Sequence, residues 1–130
     1  MKKGDKYEIP FIVSDETYKG FIDIFKDRNP LHTDESFAIN KGFSGKVMHG
    51  NILNGFLSYF IGECLPDKNV IIQTQEIKFA LPVYLNETLQ FIAEISDVFE
   101  SVNAIEFKYY FQNPDGKKVA KGKIQIGLLQ

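Results

Sequence analysis

The sequence lacks several features that would point to particular classes of protein. Its single cysteine, Cys64, allows no disulfide within the chain, which fits a reducing cytoplasm. It has no basic surplus: 15 Lys and Arg against 17 Asp and Glu give a net charge of −2, which argues against a nucleic-acid partner. The longest apolar stretch, residues 52–62, is too short and too polar to span a membrane, and no apolar segment follows the N-terminal lysines as in a signal peptide.

Motifs for metal ions and nucleotides are also missing. The two histidines, His32 and His49, do not have the i, i+4 spacing that places two ligands on one helix face, and the cysteine ligands of structural zinc are absent. No glycine pattern of the Walker or dinucleotide-binding type occurs. We therefore expect no metal ion and no bound cofactor, and we expect Cys64 to pack in the core.

The length and composition are those of one folded domain over residues 1–130. Hydrophobic residues make up 44% of the chain, enough for a substantial core. Apolar residues alternate over 7–13, which predicts a half-buried strand. Ser14 is a good N-cap for the helix that follows, whose apolar residues are predicted to share one packing face: Tyr18, Phe21, Ile22 and Phe25.

Three further elements are predicted before the chain becomes β structure. The first helix should end before Pro30, because proline disfavours helical geometry in the residue that precedes it. A short helix capped by Thr33 or Asp34 follows, and then a glycine-containing loop over 41–46. Residues 50–65 are apolar at steps of three and four almost all round, which predicts a helix buried on most sides.

The rest of the chain is predicted to be antiparallel β structure. Strands are expected over 70–79, 87–96, 104–111 and 119–128, and the turn sequence NPDG at 113–116 joins the last two as a hairpin. One long apolar helix followed by long strands predicts an α+β fold in which the sheet wraps around the helix, the hotdog arrangement. One helix cannot cover both the sheet and its edges, so we expect a homodimer.

The stretch DRNPLH contains the first pair of residues that could perform chemistry. Pro30 pushes Asn29 away from helical geometry, so the chain turns, and Asp27 and His32 can then point into one pocket. A carboxylate and an imidazole that share a site can bind and activate a water molecule. On this stretch alone a second interpretation stays open, in which Asp27 only accepts hydrogen bonds from turn amides and His32 only packs.

The stretch HGN opens the long apolar helix. A helix start has free N–H groups, and Gly50 has no side chain to obstruct a ligand, so its N–H can stabilise negative charge on a carbonyl oxygen. The alternative is that His49 and Gly50 merely begin the helix. Ser58, expected to be buried further along it, needs a hydrogen-bond partner, which is either the backbone of its own helix or Asp27.

Taken together, these stretches resemble a known family. The segments DRNPLHTDESFA, VMHGN at the start of an apolar helix, LP after that helix and IKFALPVYLNETL are similar to those of MaoC-like (R)-specific enoyl-CoA hydratases, over roughly residues 5–128. The combination of Asp-x-Asn-Pro-Leu-His with a later His-Gly is specific. Each stretch alone would favour a purely structural interpretation. Their combination favours the catalytic interpretation of both stretches instead.

The resemblance assigns roles to individual residues. It implies that Asp27 and His32 are the catalytic pair and that the Gly50 amide polarises the thioester carbonyl. Ser58 falls on a serine of the family's site and Asn29 on its turn asparagine, and both are expected to bind the substrate. His49 would shape the helix start that aims the Gly50 amide.

Two positions depart from the family. One is Asn86-Glu87, where many members have Gly-Asp between strands; asparagine tolerates the left-handed conformation of such a turn, so little consequence is expected. The other lies beside the site. The residue after His-Gly is usually apolar, and here it is Asn51, which would line the acyl tunnel and change which chains fit. The catalytic positions named above are not affected by either departure.

The implied reaction is the reversible addition of water to a trans-2-enoyl thioester of coenzyme A or an acyl-carrier protein, giving the (R)-3-hydroxyacyl thioester. No metal or redox cofactor is implied, and a single hotdog of this length implies a homodimer. One alternative is a hotdog thioesterase, but the central helix has only Glu63 as a carboxylate. Another is a non-catalytic acyl-thioester binding module, which could lose the acid/base pair that this chain keeps.

Overall fold

Helices occupy the first half of the chain and strands the second, apart from one N-terminal strand. The computed structural model describes residues 1–130, and no helix in it combines the length and apolarity needed to cross a membrane. A π-helical turn, Phe60–Cys64, continues the fourth helix. The elements in chain order are β1 (Lys6–Ile12), α1 (Asp15–Phe25), α2 (Pro30–Thr33), α3 (Glu35–Asn40), α4 (Asn51–Tyr59), β2 (Val70–Phe79), β3 (Thr88–Phe99), β4 (Ala104–Gln112) and β5 (Lys118–Leu128).

The five strands form one antiparallel sheet in the order β1-β3-β4-β5-β2. The predicted hairpin between β4 and β5 is confirmed. Its turn is closed by the Gly116 N–H, which donates to the Asn113 carbonyl at 3.0 Å, and Gly116 has the positive φ of 77° that a glycine adopts without strain. The strands β1 and β2 are the two edges of the sheet.

The inner face of the sheet packs on α4 and its π-helical extension. Phe60 is fully buried, with ring centroids 4.9 Å from Phe91 on β3 and 5.4 Å from Phe107 on β4. Alternate residues of the central strands supply the rest of this layer: Leu89, Phe91, Ala93, Ile95, Phe107, Tyr109, Phe111, Ile124 and Ile126. A sheet that curves around one helix in this way is the hotdog fold, so the predicted α+β class is confirmed.

The central helix differs from its prediction in two respects. Its α-helical part ends at Tyr59, and in the wider π-helical turn the consecutive side chains Phe60 and Ile61 are both buried. The prediction that the helix is buried on most sides is wrong, because only one face lies on the sheet and no other element of the chain covers the opposite face. Ser58, expected to be buried, is exposed on that uncovered face.

The caps of the shorter helices largely follow their sequence signals. The Ser14 hydroxyl accepts from the Thr17 N–H at 3.2 Å, and the Asp34 carboxylate caps α3.

The helix α2 was not predicted, although Pro30 is suited to a first helical position. Phe25 was wrongly assigned to the packing face of α1: it is 66% exposed, because the helix ends there and its last turn extends past the core.

One glycine allows a hydrogen bond to cross a strand. The Tyr109 hydroxyl on β4 donates to the Glu76 carbonyl on β2 at 2.6 Å, although β5 lies between these strands. The β5 residue paired with Tyr109 is Gly122. A Cβ atom there would lie 1.9 Å from the Glu76 carbonyl oxygen and 2.8 Å from the Tyr109 hydroxyl. Only glycine therefore fits this position.

We predict that Gly122→Ala lowers the free energy of unfolding by about 2 kcal/mol or more, since the added methyl group forces strands apart in a packed layer. Urea denaturation followed by circular dichroism measures this change. The matched control is Gly20→Ala within α1, where no atom lies within 4 Å of the added Cβ. That variant should be more stable than the wild type by about 0.5–1 kcal/mol. Equal stability of the two variants would contradict the prediction.

Candidate active site

The turn between α1 and α2 brings the predicted pair together. The helix α1 ends at Lys26, whose φ of 65° reverses the chain direction. The Asn29 side chain then caps α2 by accepting from the Leu31 N–H at 2.9 Å. Asp27 and His32 thus stand before and after this cap and face each other. Asn29, expected in the substrate site, is instead occupied in building the turn.

Asp27 and His32 lie across a narrow gap. The distance from Asp27 Oδ2 to His32 Nε2 is 3.9 Å, too long for a direct hydrogen bond but suited to a water placed about 2.8 Å from each atom. The His32 Nδ1 atom lies 2.7 Å from the Val47 carbonyl oxygen, which accepts only, so Nδ1 carries a proton there. His32 Nε2 is therefore the free ring nitrogen of the neutral form, and it faces the carboxylate.

His49 lies beneath this pair. Its Nε2 is 2.9 Å from the main-chain carbonyl oxygen of Asp27, and its ring stacks on His32 with centroids 4.0 Å apart and an interplanar angle of 28°. The side chain is 3% exposed, and this burial lowers the pKa of His49 below its usual value. Burial therefore favours the neutral form of His49, whereas the free Nε2 of His32 faces the Asp27 carboxylate.

Gly50 stands at the start of α4, next to His49. Its N–H group has no acceptor within the chain, so it is free to bind a ligand oxygen. A Cβ atom at this position would lie 2.8 Å from the Phe79 ring at the end of β2. The neighbouring Asn51 begins α4, and its side-chain oxygen accepts a hydrogen bond from Asn54 at 2.9 Å.

Two openings meet at Asp27. A cavity of about 430 Å³ is lined by the polar groups of the site, Asp27, His32, His49, Gly50 and Asn51, together with apolar side chains that include Phe43, Leu53, Phe79, Leu81 and Val83. A larger groove of about 770 Å³ runs between α1 and α4 and shares Asp27, Phe21 and Asn51 with the first. The polar end of the site therefore continues into apolar space, the arrangement that a thioester with an acyl tail requires.

Ser58 is not part of this arrangement within one chain. Its side chain has neither of the two predicted hydrogen bonds, to Asp27 or to the backbone of α4. By contrast, two groups that sequence reasoning missed support His32: the Val47 carbonyl and the Tyr18 hydroxyl, which donates to the His32 carbonyl. A backbone carbonyl leaves no trace in the sequence, and Tyr18 was assigned only to packing.

Asp27, His32 and His49 are also residues of metal-ligand type, with ligand atoms within 4.8 Å of one another. The turn brings the two histidines together despite their sequence spacing, on which the expectation of no metal was based. The two imidazole rings are stacked, with centroids 4.0 Å apart. The expectation of no metal ion stays a prediction.

Known proteins resemble this chain in both sequence and structure. An (R)-specific enoyl-CoA hydratase of Rhodospirillum rubrum is 25% identical over 108 residues, 83% of this chain and 75% of the relative. A mitochondrial 3-hydroxyacyl-[acyl-carrier-protein] dehydratase of Arabidopsis thaliana is 25% identical over 84% of this chain, which spans 64% of that relative. The structure of an (R)-hydratase from Aeromonas caviae superposes with a TM-score of 0.90 at 24% identity, over 98% of this chain and 97% of that one.

The sequence profile of the MaoC-like domain matches residues 2–110, which include every residue of the candidate site. The fold agrees with that match, since the similar solved structure covers the whole sheet and α4. The chain belongs to the MaoC-like domain family.

Proposed function

We propose that this protein is an (R)-specific hydratase and dehydratase, a hydro-lyase that interconverts trans-2-enoyl and (R)-3-hydroxyacyl thioesters. One observation supports this most strongly: the 3.9 Å gap between Asp27 Oδ2 and His32 Nε2, beside the free N–H of Gly50, in one cavity. Two proton carriers that hold a water and an adjacent oxyanion donor are the groups that the reaction needs.

In the hydration direction, the water between Asp27 and His32 attacks C3 of the enoyl thioester. One of the pair takes the proton of the water as the C3–O bond forms, and the C2–C3 π electrons move toward the thioester oxygen. The Gly50 N–H donates to that oxygen while it carries negative charge. A proton from the pair then reaches C2, which restores the carbonyl and leaves the (R)-3-hydroxyacyl product. Dehydration is the same path reversed.

The thioester carrier is coenzyme A or an acyl-carrier protein in this proposal. The two relatives described above are named for these two carriers, and both carriers present the same thioester chemistry. The apolar walls of the cavity and groove would take the acyl chain. Asn51 lies where they meet and would place an amide beside the chain. The expected cytoplasmic location, and one domain over residues 1–130, stay predictions.

A thioesterase activity has less support. Hotdog thioesterases commonly use a carboxylate on the central helix. Here Glu63 is the only carboxylate on α4 and its π-helical turn, and it lies 3.4 Å from Lys68 on the surface rather than in the cavity. A purely binding module has no need of the acid/base gap. The geometry therefore favours hydration over both alternatives.

A homodimer is the second part of the proposal. The strand β2 pairs only with β5, so its other edge is free, and the strand exposes Ile71 and Ile72. Free sheet edges with apolar side chains are normally covered. The uncovered face of α4 lies exposed in the same way. A second copy placed along β2 would extend the sheet and bury both surfaces.

We predict that Asp27→Asn and His32→Ala each lower kcat for crotonyl-CoA hydration by about 100- to 10,000-fold, because each removes a proton carrier. Loss of enoyl absorbance measures the rate. The matched control is Asp115→Asn in the exposed β4–β5 turn, which should keep the wild-type rate. Wild-type protein inactive on coenzyme A and carrier-protein enoyl thioesters, or free thiol release in place of hydration, would contradict the proposal.

We also predict that Ile71→Glu/Ile72→Glu converts the protein from a dimer to a monomer, since two charges on the free edge oppose pairing. Light scattering after size exclusion should give 14.9 kDa for this variant and twice that mass for the wild type. Ile39→Glu on α3, where the native residue is 53% exposed against 54% for Ile71, serves as the control and should remain dimeric. A monomeric wild type at micromolar concentration would refute the dimer.

A further inference from the structure

His49 is the only ionisable side chain, tyrosines apart, that is buried in this chain. The mechanism above gives it no step. His49 nevertheless adjoins the three main groups of the site. Its ring stacks on His32, its Nε2 contacts the Asp27 carbonyl oxygen, and Gly50 is its neighbour in the chain.

The hydrogen bond to Asp27 fixes the tautomer of His49. A carbonyl oxygen only accepts, so Nε2 must carry the proton, and the neutral ring then has a lone pair on Nδ1. That Nδ1 atom is buried and has no hydrogen-bond partner. A phenylalanine would fill the same space without an unpartnered atom, so simple packing does not explain the imidazole. The Nε2–H group is the property that an apolar ring could not supply.

The Asp27 backbone has little else to hold it. Asp27 lies between the left-handed Lys26 and the cap of α2, outside any helix. His49 supplies the only hydrogen bond to its carbonyl, and the Asp27 carboxylate, which is 48% exposed, accepts only from the Asn29 N–H at 3.2 Å. The direction in which the carboxylate points therefore depends on how firmly its backbone is anchored.

Two aromatic rings pack against His49. Phe21 packs on the His49 ring with centroids 4.7 Å apart, and Tyr18 lies at 5.9 Å. Because only Gly50 separates His49 from α4, the Nε2–H hydrogen bond of His49 links the position of the central helix to the turn that carries Asp27. The charged groups around it are Asp27, His32 and Lys46, whose ammonium lies over the Tyr18 ring.

We propose that His49 is a positioning residue: its Nε2–H holds the Asp27 main chain so that the carboxylate faces His32 at the distance that retains a water. The inference rests on the proposed hydratase function for its kinetic consequences. It goes beyond that function because it gives the second histidine a role of its own. The site then uses one imidazole for proton transfer and the other for geometry.

The kinetic experiment compares His49→Gln with His49→Phe. Glutamine keeps an N–H donor near the Nε2 position and loses the ring, whereas phenylalanine keeps the ring and loses the donor. Positioning predicts that His49→Phe lowers kcat for crotonyl-CoA at least tenfold with KM changed less than twofold, and that His49→Gln recovers most of that loss. A packing role predicts the reverse order, so phenylalanine equal to or better than glutamine would overturn the inference.

A spectroscopic readout does not depend on activity. Histidine ¹⁵N spectra of the wild type at pH 7 should show His49 as the neutral Nε2–H tautomer, with a coupling across the hydrogen bond to the Asp27 carbonyl carbon. The Nδ1–H tautomer would overturn the inference even in an active enzyme. An inactive wild type with the expected tautomer would refute the proposed reaction and leave the anchor confirmed.

The pH dependence of stability gives a further prediction. Burial lowers the pKa of His49 in the folded state below the value of about 6.5 of the unfolded chain. The unfolded state therefore binds the proton more readily, so this contribution to stability is present above about pH 6.5 and is lost as the pH falls through the folded-state pKa. His49→Phe should show a flatter decline in the free energy of unfolding between pH 7 and pH 5, because Asp27, His32 and Lys46 are unchanged. An identical decline would show that His49 is not held neutral.

Discussion

The packing of one face of α4 against the inner face of the sheet is the interaction on which the rest of the molecule depends. Phe60 and the aromatic residues of β3 and β4 form its centre. Burial of such side chains contributes about 1.5–3 kcal/mol each, so this layer supplies much of the stability. It also places the N-cap residue of α4, Gly50, at one end of the sheet, where Gly50 meets Phe79. The free amide of the site is therefore positioned by the core itself.

Much of this fold could be predicted from local sequence patterns. The alternation of apolar and polar residues predicted the strands, and β2 has its predicted bounds at 70–79. Ser14 caps its helix and Gly116 closes its turn, as their chemistry indicates. These features depend on residues that are neighbours in the chain. The exposed position of Ser58 could not be predicted in this way, because periodicity shows that a helix is apolar but does not show how many of its faces are covered.

In the candidate site, too, local features could be predicted from the sequence and long-range contacts could not. The motif around Asp27 and His32 was visible because short-range turn chemistry brings the two side chains together. The contacts that support them come from distant parts of the chain, and the Val47 carbonyl and the stacking of His49 on His32 depend on tertiary structure. A motif does not show what each of its residues does. Asn29 belongs to the motif, yet its side chain caps α2 and does not line the cavity.

The contact between Phe79 and Gly50 has one more consequence. Phe79 is the last residue of β2, and β2 is the edge strand that a second copy would cover in the proposed homodimer. The wall of the thioester site and the surface of subunit association are then parts of one strand. If association also favours one position of this strand, a substrate that favours the same position must, by thermodynamic linkage, raise the affinity of the two subunits for each other. Subunit concentration would therefore act as an effector of the enzyme.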